Sequence, residues 1–306
     1  MLTAFLSRAD VSRHMQALHL LRELSQAFTA RRRSASVSAL RVDAPTAPGS
    51  TLVRQATLPD LPAYSVTVKV EVPQQRPASR SVLQLHDLTT GKLLAVMDAT
   101  HLTSLRSSLV SALAAEVLSR PDAANVAVLG SGLAASGALK ALRLVRAIDR
   151  VWLYEPDVVA NTELTFRLQT TLSMAVRGTS SAAEAVAEAD LVVLTGQVAL
   201  PVEALRPGTH VTVLSAETFV EPPLRPSLLG RAKRFCDEPE PRLDWGLPFD
   251  GELSDVLAGT RPGRTSRDDV TVFASVGPAW LDLLAAWHVY EGARTDESLT
   301  RLDLEA

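Results

Sequence analysis

Two glycines between an apolar run and a helical pattern are the residues of this sequence with the clearest chemical meaning. Residues 126–129 read Val-Ala-Val-Leu, and Gly130, Gly132 and Ala135 follow before a helix rich in leucine. Gly130 allows a tight turn, Gly132 lets the backbone approach a pyrophosphate, and Ala135 keeps helix and strand close. The N–H groups of the first helical turn and the helix dipole would then face the phosphates. This pattern predicts a dinucleotide site.

An acidic residue at the end of the next predicted strand supports the same chemistry. Glu155 stands 25 positions after Gly130 (155 minus 130). A carboxylate there accepts hydrogen bonds from the ribose hydroxyls of NAD and repels the 2′-phosphate of NADP. Asp157 is a second candidate, and Pro156 rather than an arginine follows Glu155. The pattern therefore favours NAD over NADP, and the alternative is the glycine turn of another doubly wound fold.

The elements that position this loop alternate between short apolar runs and helical stretches, which is the rhythm of βαβ units with a parallel sheet. The predicted strands are 126–129, 151–154, 191–194, 210–214, 234–236 and 270–275, and a helix follows at 278–292. The part before residue 120 differs. It reads as a helix at 8–29, strands at 64–72, 81–88 and 92–97, and a long helix at 104–119. We predict two domains, residues 1–120 with the returning C-terminal segment 278–306, and residues 121–277.

Composition excludes several classes of partner. The chain has 31 basic and 34 acidic residues and a net charge of -3, so no global field favours nucleic acids or anionic membranes. The single cysteine, Cys236, excludes an internal disulfide framework, and the six histidines show no ligand spacing, so no metal site is predicted. No stretch has the length and apolarity of a secretory or membrane segment. We therefore expect a cytoplasmic protein without nucleic-acid or membrane partners.

Several segments together resemble the ornithine cyclodeaminase/mu-crystallin family. They are the glycine loop and residues 90–98, 102–106, 111–115, 189–193, 207–211, 251–253 and 263–277. Three motifs together make the resemblance fairly specific: Leu-Thr-x-Leu-Arg at 102–106, the glycine loop, and Phe-x-Ser-Val-Gly at 273–277. The likeness spans residues 58–293.

The resemblance implies an α/β fold with a Rossmann-type doubly wound parallel sheet, beside an α+β domain whose antiparallel sheet serves dimerisation and substrate binding. It implies NAD-dependent hydride transfer at the α-carbon–nitrogen bond of a small amino or imino acid. The enzyme would be a cyclodeaminase (a lyase), a ketimine reductase or an amino-acid dehydrogenase, and a homodimer. The alternative is a catalytically degenerate NAD(P)-binding protein of the same fold.

The resemblance also assigns site residues. The family's active-site lysine falls on Lys69, although the polar side of an alternating strand is usually solvated. Its substrate-carboxylate arginine falls on Arg106. With Thr103 as N-cap, Arg106 lies in the first helical turn, where a cation opposes the helix dipole. A residue so placed favours a bidentate carboxylate clamp over a surface ion pair with Asp98.

Two positions depart from the family. A second carboxylate-binding arginine is expected near Pro45, and the nearest arginines are Arg41 and Arg54. The catalytic aspartate falls on Glu217, which keeps the carboxylate but adds a methylene. These departures weaken the case for ornithine more than the case for NAD. The predicted cofactor-binding residues are Gly130, Ser131, Gly132, Leu133, Ala134, Glu155, Thr195, Ser275, Val276 and Gly277.

Overall fold

The structure is a computed structural model that divides into two compact units. It describes residues 2–31, 38–46, 49–72, 74–75, 78–196, 198–214, 224, 226–239 and 248–304, with the backbone alone at 31, 38–46, 226 and 229. Unit 1 comprises Met1–Leu24, Arg33–Arg106 and Pro278–Ala306, and unit 2 comprises Ser25–Arg32 and Ser107–Gly277. The domain limits predicted at residues 120 and 277 stay a prediction.

Unit 1 contains a seven-stranded sheet in the order β15-β1-β6-β5-β4-β3-β2. Its strands are β1 (Thr3–Leu6), β2 (Ser38–Thr46), β3 (Gly49–Thr57), β4 (Ala63–Glu71), β5 (Ser79–Asp87), β6 (Leu93–Asp98) and β15 (Thr300–Leu302). The pairs from β2 to β6 are antiparallel, as predicted, but β1 joins β6 in parallel, so the sheet is mixed. Pro45 is tolerated in β2 because β2 is an edge strand.

The helices α1 (Arg8–His14) and α9 (Ala279–Ala293) belong to unit 1, whereas α2 (Ala17–Arg31) and α3 (Ala99–Leu118) each have their first part in unit 1 and the rest in unit 2. The sequence predicted one helix at 8–29, and the structure has two. Ser7 and Asp10 form a capping box that starts α1, and Met15 is extended. The backbone N–H of Gln16 donates to His288 Nε2 at 3.3 Å, so a tertiary hydrogen bond supports the break between α1 and α2.

The alternation in β4 has the opposite sense from the one that its residue types suggest. Ser65 and Thr67 are buried, whereas Val70 and Val82 are exposed by 38% and 47%. The cause is α9, an almost wholly buried helix that packs against β3, β4 and β5. The polar side of β4 is thus the covered side. The exposed side is called the valine face here and comprises Val66, Val68, Val70 and Val82.

Unit 2 contains an eight-stranded sheet, entirely parallel, in the order β13-β12-β14-β11-β10-β7-β8-β9. The strands are β7 (Asn125–Leu129), β8 (Arg150–Tyr154), β9 (Val176–Gly178), β10 (Leu191–Leu194), β11 (His210–Val213), β12 (Lys233–Cys236), β13 (Gly251–Glu252) and β14 (Thr271–Ala274). The helices are α4 (Gly132–Val145), α5 (Val158–Leu172), α6 (Ala182–Val186), α7 (Pro226–Leu229) and α8 (Leu253–Leu257). Two hydrophobic clusters bury the central strands. The predicted α/β class with a doubly wound parallel sheet is confirmed.

The strand order reverses between β7 and β10, and such a switch point at the carboxyl edge is where doubly wound sheets bind ligands. The glycine loop follows β7 and therefore lies at that point. Within the described ranges, no helix combines the length and the apolar character that crossing a bilayer requires.

His210, the first residue of β11, makes the folded chain sensitive to acid. Its ring lies between the hydroxyls of Thr271 and Thr212, at 2.9 and 3.0 Å. Burial, with a smaller effect of Arg264 and Arg146, lowers the pKa of His210 from 6.5 to about 3.

The unfolded chain therefore binds a proton at this position at a higher pH than the folded chain does. The contribution of the neutral His210 to the stability of the fold is fully present above pH 6.5 and is lost as the pH falls toward 3. We expect a loss of about 2 kcal/mol between about pH 6.5 and about pH 5. His210→Asn cannot take up the proton and should flatten this slope in urea-unfolding measurements. An unchanged slope would contradict the assignment.

Candidate active site

The glycine loop has the backbone geometry that its sequence predicts. Gly130 has φ +115° and Gly132 has φ +80°, backbone angles that residues with a Cβ rarely adopt. A Cβ on Gly130 would lie 2.7 Å from Thr195 Oγ1 and 2.8 Å from the backbone nitrogen of Gly196. Thr195, at the end of β10, is thus packed directly against the loop, and its N–H donates to Leu129 at 2.9 Å.

The N-terminus of α4 can receive an anion. The side chain of Ser131, the N-cap residue, makes no capping hydrogen bond within the described part of the chain. Gly132 and Leu133 are exposed, and a Cβ on Gly132 would meet no described atom within 4 Å. The N–H groups of the first turn of this 14-residue helix, among them those of Leu133 and Ala134, therefore open onto accessible surface. These residues fit the pyrophosphate of a dinucleotide.

The two acidic candidates after β8 have different tasks. Asp157 is the N-cap of α5, and its side chain accepts hydrogen bonds from the N–H groups of Val159 and Ala160 at 2.9 and 3.0 Å. Glu155 is half-buried and lines a cleft of about 600 Å³ along α5. Within the described residues, its side chain accepts one long hydrogen bond, from the Asp157 N–H at 3.4 Å. Since β8 is the neighbour of β7, Glu155 has the position that a ribose-binding acid requires.

The segment Ser275–Gly277 is held by a carboxylate that the sequence did not single out. Asp237 is completely buried and accepts bonds from Ser275 Oγ at 2.9 Å, the Val276 N–H at 3.0 Å and the Gly277 N–H at 2.9 Å. These donors are thus engaged by protein, which limits a cofactor role of the segment to its other atoms. Asp237 directly follows the buried strand β12, and that position was the available signal. Its neighbour Cys236 is buried, which raises the pKa of the thiol.

Lys69 lies on the covered side of β4, not on a solvated face. Its side chain is 28% exposed, and Nζ is 2.6 Å from Glu71 Oε1. Strand register adds one cation to this side. Arg54 on β3 is opposite Thr67 and therefore shares the face of Lys69, and the backbone of Arg41 on β2 is opposite Arg54. The position of Pro45 is described by its backbone alone.

Arg106 differs from the sequence prediction in two respects. The helix begins at Ala99, not after Thr103, because Asp98 Oδ1 accepts the His101 N–H at 2.7 Å. Arg106 is therefore the eighth residue of α3, beyond the first turn, and the argument from the helix dipole is wrong. Its side chain is 1% exposed and pairs with Asp282 at 2.7 Å, not with Asp98. Glu217 lies outside the described residues.

One group of side chains in unit 1 lies close enough together to approach a metal ion. His19 and Glu23 on α2 and His288 on α9 place their ligand atoms within 4.8 Å of one another, although the sequence shows no ligand spacing. His288 Nε2 accepts the Gln16 N–H, so Nδ1 carries the proton and donates it to Glu23 at 2.9 Å. A metal-bound histidine donates from its second nitrogen instead. The group is better described as a hydrogen-bond network.

The comparison with protein families gives one result for nearly the whole chain. The model of the ornithine cyclodeaminase/mu-crystallin family matches residues 3–297. The chain belongs to this family. The resemblance inferred from the sequence segments is confirmed.

Curated proteins and solved structures are similar to this chain over most of its length. A Delta(1)-pyrroline-2-carboxylate reductase of Bacillus thuringiensis subsp. konkukian is 28% identical over 79% of this chain and 81% of its own. The structure of the Thermococcus litoralis Delta(1)-pyrroline-2-carboxylate reductase with NADH and L-proline has a TM-score of 0.90 at 24% identity, over 97% and 99% of the chains. An archaeal alanine dehydrogenase dimer with bound NAD has a TM-score of 0.88 at 24% identity, over 99% and 100%. These two structures show the same fold.

Proposed function

We propose that the protein is an NAD(H)-dependent oxidoreductase that transfers hydride at the α-carbon–nitrogen bond of a small amino or imino acid. The observation that carries the proposal is the glycine loop. Gly130 and Gly132 both have positive φ, the loop precedes the uncapped N-terminus of α4, and Glu155 follows on the adjacent strand. A family relative named as a reductase of a cyclic imino acid supports this substrate class.

The chemistry divides between the cofactor and side chains of this chain. A bound NADH would supply the hydride for the carbon of a C=N bond, and a proton on the nitrogen would complete the amine, with NAD⁺ as the oxidised product. Arg106 binds the carboxylate of the substrate, and Lys69 delivers the proton to the nitrogen. Arg54 shares the face of Lys69 and adds positive charge for a carboxylate, which reduces the importance of the arginine missing near Pro45.

The function is tested with purified protein, NADH and a panel of carboxylated cyclic imines and α-keto acids with amines. We expect loss of NADH absorbance with a carboxylated cyclic imine such as Delta(1)-pyrroline-2-carboxylate, with formation of the cyclic amino acid. Ornithine and lysine with catalytic NAD test the cyclodeaminase variant, which releases ammonia without net reduction. NADH binding without turnover on any member of the panel would instead identify a degenerate binding protein.

Glu155 is expected to determine the preference for NADH over NADPH. Its carboxylate accepts hydrogen bonds from ribose hydroxyls and repels a 2′-phosphate. Glu155→Ser should raise the Kd of NADH about 10- to 100-fold, the effect expected for the loss of hydrogen bonds to a charged group. It should also raise the affinity for NADPH relative to NADH. Asp157→Ser, which keeps a capping oxygen for α5, is the matched control. The dissociation constants of both cofactors are measured by fluorescence, and an unchanged ratio after Glu155→Ser would refute the role.

The valine face supports the homodimer as part of this proposal. A sheet side with Val70 and Val82 exposed is unusual for a protein surface and suits contact with the same side of a second copy. A fold neighbour is described as a dimer, which agrees with it. The cytoplasmic location expected from the single cysteine also belongs to the proposal.

A further inference from the structure

The ion pair between Arg106 and Asp282 is buried inside unit 1, with side chains 1% and 3% exposed. Arg106 Nε donates to Asp282 Oδ1 at 2.7 Å, and Thr103 Oγ1 donates to the same oxygen at 3.0 Å. Arginine is almost never fully buried without a partner. Buried ion pairs stabilise proteins no better than well-packed apolar residues of the same volume. The orientation that the pair gives to its side chains is therefore a better explanation for it than a gain in stability.

The hydrogen bond to Nε determines the direction of the rest of the guanidinium group. Arginine presents its five N–H donors in a rigid planar fork, so a partner fixed at Nε fixes the orientation of both Nη atoms. Arg106 is the eighth residue of α3, and Asp282 belongs to the first turn of α9. The fork is thus held from a second helix and not only through its own flexible side chain.

We propose that Asp282 is the positioning residue of Arg106. It holds the guanidinium group in the orientation in which Arg106 binds the carboxylate of the substrate. It also balances the charge of the buried arginine before the substrate binds and after the product leaves. Asp282 acts through Arg106 and not on the reacting atoms. This inference rests on the proposed function, because it assumes a carboxylate at Arg106.

The test uses Asp282→Ala, Asp282→Asn and a control, Asp296→Ala. Asp296 lies in the same unit and also pairs with basic side chains, His14 at 2.9 Å and Arg13 at 3.0 Å. Two quantities are measured for each variant in the presence of NADH, the KM for Delta(1)-pyrroline-2-carboxylate and the Kd of the unreactive analogue pyrrole-2-carboxylate. The Kd of NADH alone is measured as well.

Asp282→Ala should raise KM and the analogue Kd about 10- to 100-fold and leave the Kd of NADH unchanged. Asp282→Asn should raise them less, because its amide oxygen can still accept from Arg106 Nε. Asp296→Ala should change neither. Unchanged values in Asp282→Ala, or an equal loss of NADH affinity, would overturn the inference. If that variant does not fold, unchanged values in Asp282→Asn decide in the same way.

Failure of the proposed function gives a different result. If the wild-type protein binds pyrrole-2-carboxylate but turns over no imine, the proposed function is wrong, and the Kd values of the variants still test Asp282. If it turns over the imine and the Asp282 variants match it, only the inference is wrong. If the wild-type protein neither binds the analogue nor reacts, both are wrong.

Discussion

Replacing Lys69 by methionine is expected to lower kcat for a carboxylated cyclic imine about 10²- to 10⁴-fold, the usual range for loss of a general acid or base. Methionine keeps a long unbranched side chain on the covered side of β4 and removes only the group that carries the proton. The KM of the imine and the Kd of NADH should change little, because we propose that Arg106 and the glycine loop bind these ligands. Steady-state kinetics and NADH titration measure the three values.

Lys92→Met is the matched control for this experiment. Lys92 also belongs to unit 1, but it is exposed beside the turn between β5 and β6. Its replacement should leave kcat unchanged. If Lys69→Met retains the kcat of the wild-type protein, the role of Lys69 is limited to its ion pair with Glu71. The proton must then come from another group.

Replacing Gly132 by alanine is expected to raise the Kd of NADH about 10- to 100-fold, the equivalent of losing one or two hydrogen bonds to a charged group. No described atom lies within 4 Å of the added Cβ, so the chain itself has room for it. The methyl group would instead occupy space that the pyrophosphate needs. The φ of +80° adds a cost of about 1–2 kcal/mol in stability.

Gly91→Ala separates the effect on binding from the backbone cost. Gly91 has φ +71° in the turn between β5 and β6, and its Cβ would likewise meet no described atom within 4 Å. Both variants should lose similar stability in thermal unfolding, but only Gly132→Ala should lose NADH affinity. Equal NADH affinity in the two variants would contradict the assignment of the pyrophosphate-binding site to the glycine loop.

Unit 2 could be predicted from the sequence because its signals are local. Its central strands are short apolar runs buried on both faces, and each lies within a residue or two of the predicted position. The glycine loop was equally predictable, since the turn, the helix start and the strand before it are contiguous. The short edge strands β9 and β13 lack such runs and were missed.

Unit 1 was harder to predict because its contacts join residues far apart in sequence and because the polar side of one strand is the buried side. β2 contains Pro45, and β3 carries no regular alternation, so neither strand was predicted. The polar side of β4 is buried only because a helix more than 200 residues later covers it. The partner of Arg106 is 176 positions away on that same helix, and no local pattern identifies such a pair. Asp237 was missed because the donors that it accepts from, Ser275 to Gly277, lie 38 to 40 positions later, and no local pattern links them.

The pairing of Thr3 on β1 with Leu302 on β15 bears on the order of events during synthesis. Residues 107–277 leave the ribosome as a continuous stretch of parallel βαβ units and can fold before the chain is finished. The sheet that begins at Thr3 cannot close until residue 302 has emerged, and until then Lys69 lacks the helix that covers its side of β4. Contacts this distant in sequence make folding slow. Chains halted before α9 would thus expose the side of that sheet that α9 covers, with its buried residues Leu83 and Leu85 on β5, and should be degraded or held by chaperones, although their nucleotide-binding half is complete.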